Sequence, residues 1–350
     1  MKSGNFVSRY LTPTCIAAAG LASALCIQSA VAGPVAQAGV DPDAAARALW
    51  KTSMSKNTFS EAGCFQAEFP SYVWEKVACK AATPRVRPVL RKPKAGEPEV
   101  TGNGNDYVAQ SSGLTSEAVG SFPTATGITS EKSAGVAAFG GGGILGKNEY
   151  SLQLNTNFTG STSVCAGHSG CTNWQQFIYA TDYEEAGEGA VFIQYWLIGW
   201  GSSRCPSGWT SDGEGDCYRN SSATTAPDES PLSLASYSIS ATAIAGGNDT
   251  VTFNNGSKAY SVSAADSVND ISSVWKQTEF NIVGDAGGSR ADFNTSGVSV
   301  TVKIALTDGS TSAPTCVANS GSTGETNNLT LGSCTASSGS TPSVEFTESN

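Results

Sequence analysis

From residue 101 to the C-terminus apolar and polar residues alternate with period two, and the 3.6-residue helical period is almost absent. A chain written this way has strands with one apolar face each, so the strands must pair into sheets and the sheets must stack. Strands are expected at 149–158, 174–180, 190–200, 233–245, 250–254, 258–263, 278–283, 298–305 and 326–331, with one helical turn at 266–274. Turn residues such as Asn254-Asn255-Gly256 and Asp308-Gly309 separate them. Many short strands joined in this manner predict an all-β fold, an antiparallel β-sandwich or jelly roll over 101–350, preceded by a short non-β leader.

The N-terminal third reads differently. Lys2 and Arg9, a mainly apolar run over 11–26 and the small-residue box Ala30-Val31-Ala32 predict a signal peptide over 1–32 and a secreted protein, extracellular or periplasmic. No later segment approaches the roughly 20 apolar residues of a membrane span. Residues 33–100 hold ten Lys and Arg against seven Asp and Glu, whereas 101–350 hold eight against twenty-three. The first segment is therefore expected to be a basic leader or propeptide: a short helix at 41–51, a clipped turn at 64–79 and a Pro-rich linker at 80–99. The net charge of −10 argues against nucleic acid as a partner.

Eight cysteines follow the signal, in close pairs: Cys64 and Cys79, Cys165 and Cys171, Cys205 and Cys217, Cys316 and Cys334. Eight cysteines allow 105 connectivities, of which neighbour pairing is the economical one in an oxidising compartment. No C-x-x-C spacing and a single histidine leave no expected metal site. Gly167-His168-Ser169-Gly170 resembles a nucleophile elbow, but a catalytic triad needs a histidine from elsewhere in the chain and His168 is the only one. Gly140 to Gly143 is not followed by the Lys-Ser/Thr of a phosphate loop and reads as a flexible connection. The acids of Asp212-Gly213-Glu214-Gly215-Asp216 read as a solvated hairpin tip rather than a calcium loop.

Chemistry then rests on carboxylates and amides carried by strands. Trp174-Gln175-Gln176-Phe177-Ile178-Tyr179, Ala190-Val191-Phe192-Ile193-Gln194-Tyr195-Trp196 and Thr278-Glu279-Phe280-Asn281-Ile282-Val283 resemble the strand series of the secreted glutamic peptidases, the eqolisins. That resemblance implies a concanavalin-A-like sandwich and an acid endopeptidase in which Gln194 and Glu279 activate water, without metal or cofactor. It also implies substrate contacts from Trp174, Trp196, Asn281 and Asp285. The family has a second glutamate, the catalytic one, where this chain has Val283; strand parity puts Glu279 and Asp285 on the same face, one pleat away.

A different class competes with the enzyme. Phe192, Trp196 and Trp200 share the face of Gln194, and exposed aromatics on a concave sheet stack on sugar rings, which predicts a noncatalytic, lectin-like carbohydrate-binding sandwich. At least two of the three are expected to be core residues instead. No strand carries the spaced acid pair of a glycoside hydrolase. The partner is thus a polypeptide substrate or a glycan.

Overall fold

A computed structural model describes residues 43–83, 101–102, 105–158, 161–202, 204–318 and 324–350. The expected signal peptide at 1–32 and most of the Pro-rich linker lie outside the described residues.

Two large antiparallel sheets form a sandwich. Among the described residues the outer sheet has nine strands, and at its centre Lys258–Ala265, Asn248–Asn254, Ser238–Thr242, Glu117–Thr126 and Ser299–Thr307 lie side by side. The second sheet has Cys217–Asn220, Glu188–Ile198, Thr172–Glu185, Tyr150–Asn155, Gln277–Gly284 and Tyr107–Gln110 in that spatial order. A small four-stranded sheet joins Thr326–Asn327, Ser289–Phe293, Glu131–Gly135 and Gly146–Lys147.

Alternation decides what fills the space between the large sheets. On Gln277–Gly284, Phe280 and Ile282 point inward; on Thr172–Glu185, Phe177 and Tyr179 do so. They meet residues of the outer sheet: Phe280 lies 4.9 Å from Phe122, and Tyr179 stacks on Phe253 at 3.9 Å. Gly120 is required at that contact, because a Cβ there would stand 2.1 Å from Phe280 Cγ. Polar ties also join the two sheets, among them Gln175 Nε2 to Asp249 Oδ2 at 2.7 Å.

Several sequence expectations shift. The run 233–245 divides into a 3₁₀ segment, Pro231–Ser236, and the strand Ser238–Thr242, because Pro231 starts a helical turn capped by the Ser230 hydroxyl. The run 190–200 ends as a strand at Ile198, and 326–331 divides between Thr326–Asn327 and Thr330–Ser337. The helix expected at 41–51 is Ala44–Ser55, which seals Trp50 and Met54 against its surroundings. The expected clipped turn at 64–79 contains a strand: Gly63–Glu68 pairs over six residues with Lys258–Ala265. Residues 43–83 therefore belong to the same compact unit as the body.

All four neighbour disulfides are closed: Cys64–Cys79, Cys165–Cys171, Cys205–Cys217 and Cys316–Cys334. They are the chemistry of an oxidising compartment. Among the described residues no helix is long and apolar enough to cross a membrane.

Candidate functional site

The second sheet has another face, and there the alternation delivers amides. Strand register sets Glu279 beside Asn155, Asn155 beside Gln176, Gln176 beside Gln194, and Gln194 beside Asn220. Five strands thus contribute one polar row. At about 4.8 Å per strand, three spacings separate Gln194 from Glu279, roughly 14 Å of backbone. The two residues expected to form a catalytic pair share a face and a row but do not meet.

Hydrogen bonds lock the row. Trp196 Nε1 donates to Gln194 Oε1 at 3.0 Å and to Gln176 Oε1 at 3.2 Å, which turns both amide nitrogens away from the indole. Gln176 Nε2 donates to Gln153 Oε1 at 3.0 Å, and Gln194 Nε2 to Asn220 Oδ1 at 2.9 Å. Glu279 accepts from Asn155 Nδ2, is fully buried and faces the Asp106 carboxyl. Burial raises its pKa, against the lowering effect of those two hydrogen bonds.

The other expected site residues fall as follows. Trp174 and Trp196 are completely buried, stacked with Phe158 and Tyr218 respectively, so neither offers a face to substrate. Phe192 is buried as well, and Trp200 lies beyond the strand, stacked at 3.3 Å on His168. The reason is lateral packing: aromatics on this face fill two satellite clusters rather than standing out from the sheet. Asn281 is spent on Glu348, donating to Oε1 at 2.8 Å. Asp285 alone among the expected acids lines a cleft.

Gln153, Gln176 and Gln194 line that cleft together with Asp285, Ala286 and Glu325, and the buried Tyr183 and Phe192 complete its lining. Glu325 escapes a strand-by-strand reading because it precedes Thr326–Asn327 of the small sheet, far along the chain from the other members. Asn327 anchors this segment: its Nδ2 donates to Glu348 Oε2 at 3.0 Å and to Ile282 O at 3.2 Å. The glycine run expected to be a flexible connection packs at Gly143 against the backbone of Asp285 and Ala286. Gly143 has φ +99°, and a Cβ would stand 2.2 Å from Ala286 O, while Ile144 N donates to Asp285 O at 2.8 Å. The acids of 212–216 do stand at a hairpin tip, where Glu214 is exposed, but Asp212 and Asp216 are buried, and Asp212 Oδ1 accepts from the N–H groups of Glu214 and Asp216 to close the turn.

Electrostatically the cleft is a place for neutral carboxyls. Burial raises Asp285 well above the ordinary aspartate range, and nearby Glu149, Glu325, Asp182 and Glu131 push it further. Burial together with Glu279 brings Glu325 to about 7, although its own N–H and those of Gly287 and Gly324 favour the anion. Asp285 Oδ2 and Glu325 Oε2 receive no hydrogen bond from any described group. Among the described residues no group of three His, Cys, Asp or Glu side chains could hold a metal ion.

No family model and no curated protein matches the chain. Among solved structures it is similar to the kappa-carrageenase from Pseudoalteromonas carrageenovora in complex with an oligotetrasaccharide of kappa-carrageenan, at TM-score 0.24 and 8% identity. The match covers 69% of this chain and spans 66% of that enzyme's length, just under two thirds. At that TM-score the likeness carries no functional argument.

Proposed function

We propose that the cleft, with room for one water-sized group, receives a hydroxyl of a neutral, hydroxyl-rich ligand, a glycan segment, and that this protein is a noncatalytic carbohydrate-binding β-sandwich. The observation that carries the reading is the pair of cleft oxygens, Asp285 Oδ2 and Glu325 Oε2, left without a hydrogen bond opposite three glutamine amides. Buried polar atoms need partners. A protonated carboxyl and an amide each donate and accept, which is what sugar hydroxyls require, and neither carries a charge that a neutral ligand would have to offset.

Catalysis by the expected pair has little support. Glu279 is sealed behind Asn155, Gln194 is held about three strands away, and Val283 stands in place of an acid.

A second reading rests on Asp285 and Glu325 together. An acid pair facing Gln176 is the equipment of a glutamic-type acid endopeptidase: one carboxylate takes a proton from water, an amide N–H receives the developing oxyanion, and the protonated partner serves the leaving amine.

Retention on immobilised polysaccharides, with elution by soluble oligosaccharide, tests the first reading. The wild-type protein is expected to be retained at pH 5, and Gln194→Ala and Asp285→Ala to elute at least about tenfold earlier in competitor concentration. A denatured protein substrate incubated from pH 2 to 8 is expected to survive intact. Cleavage that disappears in Asp285→Asn, with no retention on any polysaccharide, would transfer the site to the peptidase reading.

A further inference from the structure

Beside the cleft lies a short stretch of the basic leader, and its contacts are those of a bound peptide. Lys80–Ala81 adds a two-residue antiparallel strand to Ser222–Pro227, with Ala81 opposite Ser222 and Lys80 opposite Ala223. Main-chain groups are read on both sides. Asn220 Nδ2 donates to Ala82 O at 3.2 Å, and Thr83 N–H donates to the Glu184 carboxylate. The side chains are read too. Lys80 forms ion pairs with Glu188 and, at 3.8 Å, with Glu185, while the Ala82 methyl packs with Ile178, Tyr183 and Phe192 in a small apolar cluster.

Two features separate this stretch from ordinary core strands. Its ladder is two residues long and its ion pairs are solvent-exposed, so each contact is individually weak. Behind it opens a cavity of about 640 Å³, bounded by Ala81 and Ala82 on one side and by Tyr195, Arg219 and Val262 on the other. What keeps it in place is its tether: Cys79, the residue before Lys80, is disulfide-bonded to Cys64 on the strand Gly63–Glu68, which raises its local concentration.

We propose that the edge at Ser222 and Ala223, with Asn220 and the acidic turn Glu184 to Glu188, is a peptide-docking surface, occupied here by the chain's own Lys80–Thr83. Its ligand class is an extended peptide with a lysine followed by two small residues and a hydroxyl residue, bound by strand addition. Main-chain hydrogen bonds give the affinity, the acidic turn selects the lysine, and the cluster of Ile178, Tyr183 and Phe192 takes the Ala82 methyl. Resting on the glycan reading, one consequence follows for the cleft: Asn220 also receives Gln194 Nε2, and Phe192 borders both sites, so the docked segment holds one end of the amide row.

The test uses the full secreted chain with its disulfides intact, the Lys80→Glu variant, and a fluorescent peptide Ser-Lys-Ala-Ala-Thr. Lys80→Glu sets a carboxylate against Glu185 and Glu188; because Lys80 is exposed, the fold is expected to stand, with Lys80→Gln as the milder control. Backbone amide exchange over 80–83 and 222–223 is expected to rise at least about tenfold in Lys80→Glu, with the rest of that sheet unchanged. The peptide is expected to bind Lys80→Glu at least about tenfold more tightly than wild type, and Asn220→Ala introduced beside Lys80→Glu to remove that binding. Unchanged exchange, equal peptide affinity for the two proteins, or no binding to either overturns the proposal. Because none of these readouts involves sugar, failure of the glycan reading leaves them untouched.

Discussion

The two faces of the second sheet are made by the same strands and are equally buried, yet they are different materials. Along Gln277–Gly284, Phe280 and Ile282 go to the inter-sheet core, while Glu279, Asn281 and Val283, followed by Asp285, go to the other face. The inward face is held mainly by apolar contact, with the buried Gln175–Asp249 tie its titratable exception. The opposite face is held by amide-to-amide and amide-to-carboxyl hydrogen bonds, and its stability depends on which carboxyls carry protons. Burial by itself is therefore no guide to what a position does; the chemistry of what it is buried against decides.

The largest effect comes from the apolar face. Phe280→Ala removes a fully buried ring packed on Phe122 and is expected to cost about 3–5 kcal/mol in urea denaturation, alike at pH 5 and pH 8. A pH-dependent loss there would erase the distinction between the faces. Next in size is the polar face. Asn281→Ala leaves Glu348 with Asn327 as its remaining amide donor and is expected to cost about 1–3 kcal/mol. Burial has already raised Glu348 to about 8 against the effect of both asparagines, so losing one donor raises it further. The loss is accordingly expected to be greater at pH 9, where the wild-type carboxylate uses both donors, than at pH 5.

How far all this could be read from the chain follows from the range of the interactions. Strand parity is a local, two-residue property, so the β-strands and the common face of Glu279 and Asp285 were legible in the sequence, whereas Gln194 joined them only through the resemblance to the glutamic peptidases. The disulfides were legible because neighbour loops of 6–18 residues close easily. Register is not local. That Gln176 and Asn155 stand between Gln194 and Glu279 depends on strand order, and that Trp196 aims two amides rather than stacking on a ligand depends on lateral packing. Glu325 and Glu348 come from the last tenth of the chain, where no motif marks them. Gly143 looked like slack because a glycine required by a backbone 2.2 Å from its missing Cβ is written with the same letter as a free one.

A third test follows the acids as a group. Glu131 at about 9, Glu149 and Glu348 at about 8 and Glu325 at about 7 are all raised above their unfolded values, burial being the first cause in each. A raised carboxyl takes up protons on folding, so its contribution is complete below the unfolded value and is lost as pH climbs through the folded one. Melting temperature is expected to be highest near pH 4.5 and to fall by several degrees between there and pH 9. Asp285→Asn is expected to flatten part of that slope. A melting temperature that rose across this window would mean that the polar face is held by ionised carboxylates after all.

The smallest effect has the opposite sign and sharpens the contrast. Asp308 lies at a turn near the surface, where slight burial would raise it, but N–H groups of Gly113 and Ser310 and the hydroxyls of Ser310 and Ser112 outweigh that and bring it to about 2. Its folded value is below the unfolded one, so its contribution is present above about pH 4 and is lost as pH falls toward 2. Because the group is largely exposed, solvent screening limits the effect, and Asp308→Asn is expected to cost no more than about 0.5 kcal/mol at pH 6 and nothing at pH 2. Urea midpoints at the two pH values check this, and a variant equally destabilised at both would show that the Asp308 turn is held by shape rather than by charge. Protons thus act oppositely on carboxylates in one chain: the acids whose values burial raises are stabilising with them, and the one at the 308 turn is stabilising only without one.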